Sequence, residues 1–187
     1  LAVLFAALLL TGWLQSGKRT EGLWRIGRHS GRAVADFVLM DGLGAALMNM
    51  AVTGAAATAV LLAVGGEING PTLGGILCAA GFGAFGKHPR NILPVMAGVV
   101  LGSWLHWWDF SLPAAQLALL FGTGLAPVGG RFGWRMGVLA GFIHAAVVLN
   151  VGVLYSGLNL YNNGFSAGFV TMVMIPVIEA MRKGEDE

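Results

Sequence analysis

The chain has 187 residues, of which 56% are apolar and only 11% charged, with a formal net charge of +2. A soluble domain carries about 25% charged residues, so a water-soluble globule with one core is excluded. So is a nucleic-acid surface, because the basic residues sit in short clusters beside apolar runs. The single cysteine, Cys78, excludes a disulfide or a thiolate metal site within one chain.

Residues 1–14 form an apolar run that spans only about 21 Å as helix, against a hydrocarbon core of roughly 30 Å. No basic segment precedes it, as a signal peptide would require, so it reads as the clipped end of a longer first span. Residues 15–32 carry Lys18, Arg19, Arg25, Arg28 and Arg32 and read as a basic cytoplasmic loop. An interfacial segment with Trp24 at the headgroups is the alternative reading.

The stretch 42–66 is long enough to cross a bilayer. Asp41, Ala45, Asn49 and Thr53 recur every fourth residue and should share one helical stripe. Polar groups in lipid face a bundle interior or water, so the stripe is either a narrow polar path or helix–helix glue. Asn69-Gly70-Pro71-Thr72 opens the next apolar stretch, 71–86. Asn at a helix start caps orphan N–H groups, and such a start also presents a positive dipole end to a solute. Gly81 to Asn91 then alternates Gly and Phe before a tight turn, Lys87-His88-Pro89-Arg90. It lacks the spacing of a phosphate-binding loop.

The stretch 92–108 plausibly crosses and ends in Trp104, Trp107 and Trp108, an outer aromatic belt facing Trp13, Trp24 and Trp134 at the inner boundary. In 113–130, Gly122-Thr123-Gly124 and Pro127 predict an interrupted or kinked helix. In 136–157, Gly137 and Gly141 place a close helix contact beside His144, an interhelical donor or a proton relay. The last stretch, 165–181, is opened by Asn163-Gly164. No metal-binding spacing occurs anywhere, and nothing implies a cofactor.

The gaps holding Lys or Arg fall on one face under simple alternation, which predicts an all-α polytopic transmembrane bundle of about seven spans. The short stretches are compatible with re-entrant or broken helices. Residues 1–187 then form a single membrane domain. Asn69 to Ile76 aligns with Asn163 to Val170 at an offset of 94, which suggests a weak parallel repeat, 42–86 and 136–181.

Gly164-Phe165-Ser166-Ala167-Gly168 matches the G-x-S-x-G nucleophile pattern, but that motif needs a strand–turn–helix. His144 is expected roughly 20 Å from Ser166 in depth, too far for a catalytic pair. His106 and Asp109 are at a matching depth.

Three blocks carry a resemblance. They are Asp41 to Asn49, Asn69 to Asn91 with its Gly-Phe-Gly-Ala-Phe-Gly-Lys run, and Leu160 to Gly168. Over about residues 33–181 the chain resembles the bacterial membrane-protein family catalogued as domain of unknown function 1576. The resemblance implies a bacterial inner-membrane protein and a longer N-terminus, and it brings no activity. Tyr161-Asn162-Asn163-Gly164 is more loosely similar to the turns of urea transporters.

The expected function is a multi-pass transporter or channel for a small polar solute or ion. Asn69, Gly70, Thr72, Asn163, Gly164, Ser166, Asn49 and Thr53 would line the solute site, with Asp41 and His144 coupling an ion or proton. The expected partners are the lipid bilayer, the solute and a second copy in a homo-oligomer. A non-transporting subunit or scaffold is the alternative, and an intramembrane hydrolase the third reading. The chain is not expected to be an enzyme.

Overall fold

The computed structural model describes residues 1–32, 35–105, 108–151 and 159–183. The described residues are all-helical, without a strand: α1 (Ala2–Gln15), α2 (Glu21–Ile26), α3 (Phe37–Asp41), α4 (Leu43–Ala63), α5 (Gly70–Gly81), α6 (Pro89–Leu105), α7 (Pro113–Phe121), α8 (Ala126–Phe132), α9 (Trp134–Val151) and α10 (Asn159–Lys183).

Glycine and proline place these boundaries. Pro71, Pro89, Pro113 and Pro127 all lie in first turns, where a missing N–H leaves no hydrogen bond unmade. Gly42 (φ 92°) separates α3 from α4, and Gly133 (φ 97°) separates α8 from α9; residues with a side chain rarely adopt either conformation. Asp36 accepts from the N–H groups of Val38 and Leu39 and so starts α3.

Interhelical contacts fix the directions. Gly12 packs on Gly44 and Met48 while Phe5 packs on Gly54, so α1 and α4 are antiparallel. Gly54 meets Ala80 and Asn49 meets Gly83, so α5 returns along α4. Gly98 packs on Phe142 and Gly102 on Ala145, so α6 and α9 run parallel and very close. The predicted small-residue contact beside His144 is this crossing, with Gly137 against Pro94 and Gly141 against the backbone of Val95 and Val99. Leu120, Ile92, Met96 and Val99 fill the core between α5, α6, α7 and α9, all with exposures of 1% or less.

Three helices are long and apolar enough to cross a membrane, namely Leu43–Ala63, Trp134–Val151 and Tyr161–Arg182. The apolar helices Ala2–Gln15 and Gly70–Ala84 are shorter. The all-α class and the broken helix in 113–130 agree with expectation: α7 ends at Phe121, a 3-10 turn runs over Gly122–Leu125, and α8 follows. Seven crossing spans are more than helix length alone supports.

The order of elements shows three successive hairpins, α4–α5, α6–α7 and α9–α10, whose first helices begin at Leu43, Pro89 and Trp134. The 94-residue offset therefore spans two hairpin units. The matched openings differ, however. Asn69 precedes α5, whereas Asn163-Gly164 lies inside α10, which begins at Asn159. Pro71 stops α5 from extending backwards, and Phe165 at the matched position places no such limit.

Residues 15–32 are more than a loop. Ile26 is fully buried beneath α4, and the chain from Gly27 to Ser30 lies across α6 and α8. Trp24 is exposed, as an interfacial residue would be.

Candidate functional site

The turn between α5 and α6 carries Lys87 and His88, both buried despite their charge capacity (9% and 2% exposed). Two asparagines hold it. Asn49 Nδ2 donates to the carbonyls of Gly83 (2.6 Å) and Lys87 (2.7 Å), and both its amide protons are thereby used. Asn91 Nδ2 donates to Gly86 O (2.8 Å) while its Oδ1 accepts from His88 N (2.9 Å). Gly86 (φ 100°) meets Gly31 (φ 68°) backbone to backbone, so neither position has room for a side chain.

Asn49 lies six residues into α4, so the turn sits about 9 Å above the start of that helix. Lys87 Nζ donates to Thr123 Oγ1 (2.9 Å) and stands 4.9 Å from the centre of the Phe82 ring. Thr123 Oγ1 in turn donates to Leu120 O (2.6 Å), at the break after α7. Burial pushes the Lys87 ammonium below the usual lysine range. Among the described residues, no carboxylate lies within ion-pair distance of it. Desolvating an unpaired ammonium costs on the order of several kcal/mol, so the turn is held against a real penalty.

The same break touches a second polar cluster. Gly122 packs on the ring of His144, where a Cβ would stand 3.0 Å from Cδ2. His144 Nε2 donates to Asn163 Oδ1 (3.0 Å), and Ser166 Oγ donates to the His144 carbonyl (3.2 Å). With the proton on Nε2, Nδ1 is a bare acceptor, and it has no partner among the described residues. Gln116 Oε1, Ser103 Oγ, Thr53 Oγ1 and Asn162 Oδ1 are also buried without a partner. Lys87, Thr123, the turn at Gly122, His144, Asn163 and Ser166 thus form one thread through the bundle, with the broken helix at its middle.

The sequence-predicted residues divide accordingly. His144, Asn163 and Ser166 come together, and the expected separation in depth between His144 and Ser166 is corrected. In the described residues α9 runs as far as Val151 and α10 runs from Asn159, so His144 and Ser166 each stand about two turns from the nearer described helix end. The hairpin therefore brings them level. Ser166 bonds the backbone of His144 and not the imidazole. His106 lies outside the described residues, and Gly164 lies in α10 with open space around its Cα.

Asn69, Gly70 and Thr72 are elsewhere, at the start of α5. Asn69 Oδ1 accepts from Thr72 N (3.1 Å) and Thr72 Oγ1 accepts from Asn69 N (2.8 Å), a closed capping box.

The stripe through Asp41 is also corrected. Gly42 breaks the helix, so Asp41 belongs to α3 while Asn49 and Thr53 belong to α4. Asp41 accepts from Arg25 Nε and from His29 Nε2, each at 2.9 Å.

Sequence reasoning read Lys87 to Arg90 as a tight, rigid turn on the inner face, and it missed Lys87 and Thr123 as a pair. The signal available was the crowding of Gly83, Gly86, Pro89 and Asn91 around one lysine, which a plain loop does not need.

Beside Lys87 lies a cleft of about 470 Å³, lined by Gly31, Arg32, Asp36, Phe85, Lys87 and Gly124 among others. A family model for a protein of unknown function, DUF1576, matches residues 15–180. The chain belongs to the DUF1576 family. The match takes in every residue of the thread and of the cleft, so both are features of the DUF1576 region of the chain. No curated protein and no solved structure matches the chain.

Proposed function

We propose that this DUF1576 protein is a multi-pass protein of the bacterial inner membrane that transports or conducts a small polar solute or ion. The observation that carries the reading is the broken helix α7–α8. Its 3-10 turn holds Lys87 on one side through Thr123 and packs against His144 on the other. Irregular backbone at bundle depth persists where it is buried in protein or lines a polar cavity. Buried polar atoms without partners occur among the described residues of the same bundle, and a hydrated solute supplies such groups with partners. Asn163, Ser166 and Thr123 would contact the solute, and His144 would couple a proton through its bare Nδ1. Asn69, Gly70 and Thr72 serve α5 as its cap, and Asn49 positions the Lys87 turn.

A non-transporting scaffold is the second reading, favoured by Asn49 and Asn69, whose side chains are spent on the protein's own backbone. The deciding experiment uses reconstituted full-length protein and follows vesicle volume by stopped-flow light scattering against urea, glycerol, ammonium and simple salts. Faster relaxation for one solute, lost in Asn163→Leu, supports transport. Rates equal to empty vesicles for every solute support the scaffold. Catalysis is not proposed: the Ser166 proton is directed at a backbone carbonyl, and fluorophosphonate labelling of Ser166 would overturn that choice.

A further inference from the structure

We infer that the cleft beside Lys87 is a binding site for a single oxyanion, a carboxylate or phosphate group. Four observations converge on it. Lys87 is 91% buried, lines the cleft, and spends one donor on Thr123 Oγ1, which leaves further N–H groups of the ammonium to use. Arg32 lines the same cleft, is exposed, and its guanidinium makes no ion pair among the described residues. Gly31, Gly86 and Gly124 also line the cleft, and Gly124 has open space where a side chain would stand, which leaves room for an oxygen. Asp36, the one carboxylate on the lining, is turned to cap α3, its Oδ1 accepting from Val38 N and Leu39 N.

Two cations on one cleft, with the lone carboxylate of the lining engaged in a helix cap, make a charge-assisted oxyanion site. The mouth adds a second property. Phe82 and Phe85 are 49% and 56% exposed at its edge, so the site joins a cationic floor to an apolar rim. That combination accepts a free anion, and it equally accepts the phosphate of a lipid whose acyl chains lie along the two rings. The inference does not depend on transport, because binding is read without flux.

The test is thermal unfolding of the purified full chain in a non-ionic detergent, titrated with inorganic phosphate or acetate against chloride at matched ionic strength. A parallel series adds phosphatidylglycerol or phosphatidylcholine. A rise in the midpoint with phosphate or acetate, or with phosphatidylglycerol and not phosphatidylcholine, is expected. The soluble arm alone identifies a free anion, and the lipid arm alone a headgroup. Lys87→Met and Arg32→Gln should each weaken the apparent affinity by about tenfold or more. Arg32 is exposed, so Arg32→Gln keeps the test decisive if Lys87→Met fails to fold. No rise in either arm, or an equal rise in Arg32→Gln, overturns the site.

Discussion

Asn49 reaches across 38 positions of sequence to donate its amide to the carbonyl of Lys87 at 2.7 Å. The bond joins α4, the first of the three span-length apolar helices, to a turn carrying a buried ammonium. Asn49→Leu is isosteric enough to pack but leaves the Gly83 and Lys87 carbonyls without their donor. Each such loss costs about 1–3 kcal/mol, so the variant should melt several degrees below the parent in detergent. An unchanged midpoint would show that water replaces the amide.

The contact of α6 with α9 predicts a sharp contrast between glycines. A Cβ at Gly141 would lie 3.0 Å from Val99 N and closer still to the Val95 carbonyl, so Gly141→Ala must push two backbones apart. Its cost should be about 1–3 kcal/mol, the usual range for overpacking. Gly74 on α5 has open space, and Gly74→Ala should be neutral or stabilising by about 0.5–1 kcal/mol. Thermal unfolding of the two variants side by side checks the pair.

His88 sets a pH dependence. Burial is the main cause that lowers its pKa, helped by the charges of His29 and Arg90 and opposed by the hydrogen bond to the His29 carbonyl. Nδ1, where the second proton would go, is buried without a partner. The unfolded chain therefore takes up this proton at a higher pH than the folded one. The stability associated with neutral His88 is complete above the ordinary value of 6.5 and declines as pH falls from there toward the folded pKa. His88→Gln keeps a donor for the His29 carbonyl and cannot titrate. Melting curves at pH 7.5 and 5.5 should show a smaller acid-induced drop in His88→Gln than in the parent.

The two Asn-Gly pairs should part company. Asn69→Ala removes a helix cap worth about 1 kcal/mol and should lower the melting point without touching solute flux. Asn163→Leu removes the acceptor of His144 Nε2 and should abolish flux while the protein still purifies as a monodisperse species. Equal effects of the two on flux would argue against a solute role for Asn163.

Local signals account for what could be read before the structure. Apolar length marked α4 and α9, the glycines and proline of 113–130 marked the break between α7 and α8, and the Asn69–Thr72 cap is a four-residue pattern. What escaped depends on partners far along the chain. A polar residue within an apolar run reads the same whether it meets a solute, as argued for Asn163, or a carbonyl, as for Asn49. The stripe from Asp41 failed for one reason, the positive φ of Gly42, which four-residue counting cannot register. His144 and Ser166 were misjudged because counting along one span cannot show which residues of the next helix come alongside it.

The backbone contact between Gly31 and Gly86 bears on how the protein is made. Synthesis proceeds from the N-terminus, so residues 27–32 leave the ribosome well before the turn they will cover. During that interval the covering segment has no turn to rest on. When the first hairpin closes, its lysine meets this waiting strand, and Arg32 comes to stand beside Lys87 along a shared cleft. Two like charges are thus delivered to one place from opposite ends of a 55-residue interval (Arg32 to Lys87), and an anion present at that moment would ease their meeting. The cleft is thus a late product of synthesis, complete only once both of the segments that line it have been made.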